Sequence, residues 1–173
     1  MRRLRSAQGA RGDRGATAVE FALVAPILIL LVFGVIEYGL WFSDSLSARQ
    51  GVREAARQGV VENFGDSTSC GLTSPTGGTN ERELMCTAQD RIGGITGDPA
   101  IMVTAPEGWA RGEPLVVCSQ IKVGIGTGII PLPNDRIVRS EVEMAIELPR
   151  PETSFATGFE PAPAGADWNW CGA

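Results

Sequence analysis

The sequence has no histidine in 173 residues. That removes the commonest general base near neutral pH and a frequent metal ligand. Tyrosine occurs once, at Tyr38, inside an apolar stretch. No CxxC pair is present: Cys70, Cys86, Cys118 and Cys171 are separated by 16, 32 and 53 positions. Zinc sites draw on closer ligand pairs, so neither a metal nor another cofactor is expected. Gly124, Gly126 and Gly128 lie close together, but no Lys-Ser/Thr follows and no helical pattern opens after them. A phosphate-cradling loop is therefore not expected. Positive charge is scarce outside the first fifteen residues. There, Arg2, Arg3, Arg5, Arg11 and Arg14 stand against Asp13, about +4; the whole chain is −5, so the remainder is about −9. A chain that acidic is a poor candidate for neutralising nucleic-acid phosphates.

What is present is one long apolar run. Residues 21–42 read FALVAPILILLVFGVIEYGLWF, with Glu37 the sole charge. Twenty-two helical residues span roughly 33 Å, which matches a hydrocarbon core of about 30 Å. Tyr38, Trp41 and Phe42 crowd its far end, where an aromatic belt sits. The basic leader is expected to stay cytoplasmic by the positive-inside rule, so residues after about 43 face outward. A cleaved secretory signal is the competing reading. The run exceeds the usual h-region, and no small-x-small site precedes a polar mature sequence. The small, polar stretch Ser43–Ala48 keeps that alternative open.

Two carboxylates border the run. Glu37 is near enough to its end to reach the outer interface. Glu20 is just inside the beginning, where a charge is expensive without a partner. The preceding residues explain it: RGDRGATAVE gives a basic leader, a glycine, four small or apolar residues and a glutamate, then the helix. This order resembles the type IV prepilin signal. The resemblance implies a cut between Gly15 and Ala16 by a prepilin peptidase, with Glu20 as the fifth mature residue. Glycine before the cut lets an enzyme approach the backbone closely. Cutting would create an ammonium at Ala16, and a carboxylate one turn along compensates it, so the two charges enter an apolar bundle as a pair.

The longer stretch GATAVEFALVAPILILLVFGVIEYG resembles the TadE-like proteins of Tad (Flp, type IVb) pilus systems. The matching features are the V-E-F-A-L run, Pro26, and the G-x-x-E-x-G of Gly34, Glu37 and Gly39. The resemblance covers about residues 14–60. It implies membrane lipid and other pilin-like subunits as partners, and no small-molecule substrate. Ala16 departs from the phenylalanine or methionine that starts many major pilins. The chain is also much longer than the short Flp major pilins. Both departures favour a minor pilin or pseudopilin. Pro26 removes one helical hydrogen bond and is expected to kink or loosen the helix. Gly34 and Gly39 permit close helix approach, though without GxxxG spacing.

Beyond the bilayer the helix is expected to continue to about residue 61. Leu46, Val52, Ala55, Ala56 and Val60 form its apolar stripe, and Arg49, Arg53 and Arg57, spaced by four, share another face. That arginine face is either solvated or a contact for anionic headgroups or an acidic partner subunit. Residues 63–80 read as a loop. Glu81–Ile95 reads as a short helix with Leu84, Met85, Ala88 and Ile92 inward, ended by Gly93 and Gly94. Strand patterns follow at Ile101–Ala105, Glu113–Val123 and Arg136–Leu148. In the second, Leu115, Val117, Ile121 and Val123 oppose Cys118, Gln120 and Lys122. In the third, Val138, Val142, Met144, Ile146 and Leu148 alternate with Arg139, Glu141, Glu143 and Glu147. One sheet face is expected to be buried and the other wet. Ile129, Ile130 and Leu132 lie in the connection Gly124–Asp135, where they are candidates to touch membrane or another subunit.

The expected fold class is therefore α+β. A long N-terminal transmembrane helix extends into a small exported head with a short helix and about three antiparallel strands. The expected organisation is leader 1–15, transmembrane helix 16–42, helix extension 43–62, head 63–148 and a Pro/Ala/Gly-rich tail 149–173. Four cysteines on the outer side of a membrane suit two disulfides. Three pairings are possible. The expected one is Cys70–Cys86, closing a Gly/Ser/Thr-rich loop, with Cys118–Cys171 tying the tail to a strand. The tail is expected to wander without a core, its terminal DWNWCGA either docked back or exposed as an aromatic tip. The leading function is non-catalytic pilus assembly at the inner membrane. The alternative is an unprocessed single-pass protein with an extracytoplasmic binding domain. An anchored enzyme is disfavoured, because no nucleophile motif and no spaced acid–base pair of carboxylates is visible.

Overall fold

The structure is a computed structural model that describes residues 12–66, 70–93, 96–124, 131–150 and 153–172. Most of the leader (residues 1–11) and the Gly126, Gly128, Ile129 and Ile130 positions lie outside the described residues. Helix α1 runs Gly12–Gly59 and α2 Thr79–Ile92. The strands are β1 Pro99–Thr104, β2 Pro114–Lys122, β3 Ile137–Ala145 and β4 Thr157–Phe159. They form one antiparallel sheet in the order β3-β2-β1-β4. The fold class is α+β, with a long apolar N-terminal helix.

Helix α1 has 48 residues, about 72 Å at the α-helical rise. It continues through Pro26. The large apolar side chains of its first half are exposed: Phe21 is 71% exposed and Val35 75%. It is long and apolar enough to cross a membrane. Its second half is the spine of the head. Ala48, Val52, Ala55, Ala56 and Val60 are buried on one stripe at helical spacing. Leu46 was expected on that stripe and is instead largely exposed. Six residues before Val52 it is turned about 120° away, and Ala48 takes the inward position.

Helix α2 begins at Thr79, two residues before the expected Glu81, and buries Leu84, Met85, Ala88 and Ile92 as its pattern requires. Gly93 ends it in the left-handed region (φ 50°), its N–H reaching the Gln89 carbonyl. α1 and α2 cross closely at Gly51. A Cβ there would lie 3.1 Å from the Ile92 nitrogen and 3.2 Å from the Ala88 oxygen, and would collide with the Ile92 side chain.

The sheet packs one face on both helices, and the core joins Leu84, Met85 and Ile92 to Ile101, Val103, Leu115, Val117, Ile121 and Val138. Among the described residues the tail supplies a fourth strand, β4, beside the three expected. One expectation is corrected. The outer sheet face is only partly wet: Cys118 and Gln120 are fully buried under the returning tail. Lys122, at the strand end, is exposed and reaches the Ala164 carbonyl. At the end of β3, Ile146 stays inside but Leu148 is 59% exposed, since the strand stops at Ala145.

The tail is fixed by long-range ties. β4 pairs with β1 through Met102–Thr104. The buried carboxylate of Glu81 accepts the Ala156 N–H at 2.6 Å. Buried Glu160 accepts the N–H groups of Thr73 (2.8 Å) and Ile101 (3.1 Å). Gln120 donates to the Asp167 carbonyl, and Trp168 to that of Glu160. Both expected disulfides form: Cys70–Cys86 (Cα–Cα 5.3 Å) and Cys118–Cys171 (6.1 Å). The terminal tryptophans thus dock back, with Arg139 over the Trp170 ring at 5.5 Å.

Candidate functional site

Gly15, Ala16 and Glu20 lie on the first turns of α1, all exposed, and nothing approaches within 4 Å of a Cβ added at Gly15. Ala16 and Glu20 are one turn apart and share a face. The large apolar side chains from Phe21 to Ile36 are then all exposed. Pro26 is on this stretch. Gly34 is the notch in it: with Leu30, Leu31, Val35 and Tyr38 it lines a shallow apolar depression of about 400 Å³. A Cβ at Gly39 would meet nothing.

At residue 37 the surroundings change. Glu37 is 3% exposed. Tyr38 donates its hydroxyl to the Pro131 carbonyl at 3.4 Å, and Trp41 packs against the core. Further along, the hydroxyl of Thr96 donates to the fully buried Asp44. A hydroxyl beside a carboxylate is a chemical pair, but its burial excludes substrate, so it clamps the segment before β1 to α1. Glu37 is therefore beneath the head rather than free at the interface.

Arg49, Arg53 and Arg57 are exposed on the side of α1 turned from the head. Arg57 pairs with Glu54 at 2.9 Å. The Arg57 hydrogen bond, then that from Gln58, hold the Glu54 carboxyl down to about 2. At the far end of the head, Glu62 accepts Trp109 Nε1 (2.9 Å) and the Arg150 N–H (2.7 Å), and pairs with the Arg150 guanidinium (3.1 Å). Trp109 stacks on Phe155 at 4.5 Å between centroids, with Phe64 against both. Sequence reasoning missed this joint, because Glu62 and Trp109 are 47 positions apart and carry no local pattern.

A cleft of about 300 Å³ is lined by Thr73, Gln89, Asp98, Glu160 and the Pro161–Pro163 stretch. Burial pushes the Glu160 carboxyl above its ordinary range, against the two N–H groups that favour its charge. Both oxygens are engaged by backbone, so the group holds three segments together. Among the described residues no group of His, Cys, Asp and Glu is arranged to hold a metal ion.

The TadE-like protein family model matches residues 15–57. The chain thus carries a TadE-like segment over about a quarter of its length, covering the exposed helix and its entry into the head. No curated protein and no solved structure matches.

Proposed function

We propose that this chain is a membrane-anchored minor pilin or pseudopilin that takes part in Tad-type (type IVb) pilus assembly. The observation that carries the reading is the coincidence of the TadE-like segment with an exposed apolar helix leading into a disulfide-stapled head. The TadE-like match points to a pilus-associated protein that meets other pilus subunits. The finer statements go beyond it. The helix crosses the inner membrane with the leader cytoplasmic and the head outside. A prepilin peptidase cuts between Gly15 and Ala16. Glu20 then compensates the new ammonium when helices pack side by side.

The part of the helix with no buried residue is Ala16–Ile36; beyond it Tyr38 and Phe42 stay exposed while Glu37 is buried. Twenty-one residues span about 32 Å, sufficient for a hydrocarbon core. Support comes from the burial of Glu37 and the Tyr38–Pro131 contact, which bring the head down to that level. Two disulfides suit an oxidising compartment outside the cytoplasm.

The test compares wild type with Gly15→Lys and Glu20→Ala in a peptidase-competent, piliated host. Mass spectrometry reads the mature N-terminus, fractionation reads membrane retention, and microscopy reads pili. Gly15→Lys blocks cutting. Glu20→Ala is cut but assembles poorly. Normal piliation by both variants, with residue 1 intact in the wild type, would support the unprocessed single-pass binding protein instead.

A further inference from the structure

The head has a basic back and a front that is acidic apart from Arg139, which lies over the Trp170 ring. The back is the outward stripe of α1, where Arg49 and Arg53 are exposed and Arg57 is engaged by Glu54. The front is the outer face of β3. Strand alternation turns Val138, Val142 and Met144 toward the helices and Glu141 and Glu143 away from them. Glu147 adds a third exposed carboxylate just past the strand. Among the described residues β3 is also an edge strand, paired with β2 alone. Along it, Glu141 Oε1 accepts the Gly172 N–H, and Glu141 and Glu143 are both exposed.

The two patches stand at the same level along the helix. Pro131 is tied to Tyr38 below, and the N–H groups of Glu147 and Leu148 are tied to the Val60 carbonyl above. β3 therefore ascends beside α1 between residues 38 and 60. Glu141 and Glu143 fall in the middle of that ascent, as do Arg49 and Arg53. The strand and helix rises put the two pairs within about two helical turns of one another, roughly 10 Å. Helices anchored in parallel in one bilayer hold their heads at one height, so the back of one copy can meet the front of the next without tilting either.

We infer that Arg49 and Arg53 dock on Glu141 and Glu143 of a second copy of this chain. The contact is heterologous: one copy's back meets its neighbour's front, and each copy keeps a free back and a free front. Repeated, it makes a row or an open helix of heads rather than a closed dimer. Exposed ion pairs are individually weak. Confinement in a bilayer raises the effective concentration enough for several weak pairs to act. The inference adds a head-to-head contact to the helix packing of the proposed function and does not depend on processing.

The test uses full-length protein in phosphatidylcholine vesicles, half of the copies carrying nitrogen-15. Arg49→Lys and Arg53→Lys keep the charge and supply amines that a carbodiimide couples to touching carboxylates. Coupling to Glu141 or Glu143 with mixed isotopes is expected, reduced about tenfold in half-molar salt. Same-isotope products only, or no coupling to β3, would overturn the inference. So would loss of coupling on adding phosphatidylglycerol, because lipid headgroups would then be the better occupant.

A second arm needs no crosslinking. Copies with Arg49→Glu and Arg53→Glu do not associate with themselves, and neither do copies with Glu141→Arg and Glu143→Arg. Mixing the two restores energy transfer between labelled heads, because each offers what the other lacks. A mixture no better than its components would sink the inference. The vesicles contain no pilus machinery, so that failure would leave the assembly function standing. Normal piliation of Gly15→Lys would conversely leave the contact standing.

Discussion

The hydroxyl of Tyr38 and the carbonyl of Pro131 meet at 3.4 Å across 93 positions of sequence. This contact ties the single tyrosine of an apolar helix to the head, one residue beyond a carboxylate the head buries. It divides α1 into a segment whose large apolar side chains are exposed and a segment that serves as core.

Arginine scanning along α1 tests that division. Leu31→Arg puts a cation in the middle of the exposed apolar segment, where it costs about 2.5–3.5 kcal/mol of insertion free energy. A large fall in the alkali-resistant membrane fraction is expected. Leu46→Arg, on the outward side beyond the contact, should leave that fraction unchanged. Equal loss from both would mean that lipid reaches past Tyr38.

Gly51 tests the spine. Its missing side chain lets α2 approach to the Ile92 nitrogen. Gly51→Ala gains helix propensity, about 1 kcal/mol, but must separate two backbones. Overpacking of this kind costs about 1–3 kcal/mol. Because backbone atoms cannot rotate away as a side-chain tip can, a net loss is expected, and Gly51→Val should lose more. Thermal melting of the head in detergent measures it. A melting temperature raised by Gly51→Ala would show that the helices yield there.

The disulfides differ in what they hold. Cys70–Cys86 closes 16 residues and Cys118–Cys171 closes 53. Loop-closure entropy gives about 3 and about 4 kcal/mol respectively. The second also presses the tail over Gln120, which is fully buried. Cys118→Ser with Cys171→Ser should lower the melting temperature more than Cys70→Ser with Cys86→Ser. It should also release the tail to protease near Pro161–Pro163. Protection of the tail in the first pair of variants would assign its docking to hydrogen bonds alone.

The parts legible in the sequence are those whose signal is local. α1 announces itself by a run long and apolar enough to cross a membrane. α2 shows a four-residue inward stripe and a glycine stop. β3 shows strict alternation, although Leu148 overextends it. β4 was not legible: three residues, Thr157–Phe159, sit among prolines and alanines. They pair because Glu81, Glu160 and the Cys118–Cys171 bond bring them to β1 from far away. The same covering made β2 buried on both faces, where alternation alone gives one. The arginine stripe was visible as spacing, but the level it shares with Glu141 and Glu143 requires the course of β3 beside the helix.

Glu62 supplies the pH dependence. Burial pushes its carboxyl up. The N–H of Arg150, the indole of Trp109, a bond from Thr153 and the Arg150 charge outweigh that and hold it below its ordinary value. The unfolded chain leaves it near 4.3. A folded value below the unfolded one means the proton is bound more weakly in the fold. Its contribution is therefore complete above about pH 4.3 and is lost as pH falls through the folded value. Glu62→Gln retains the shape but removes the charge, and presents an amide group toward donors. A cost of about 1–2 kcal/mol at pH 7 is expected. Other carboxylates also titrate in acid, so the informative quantity is the difference in melting temperature between variant and wild type. That difference should be flat from pH 7 to 5 and narrow below pH 4.3. A difference that persists unchanged to pH 3 would mean that Trp109 and Arg150 do not stabilise the charged form.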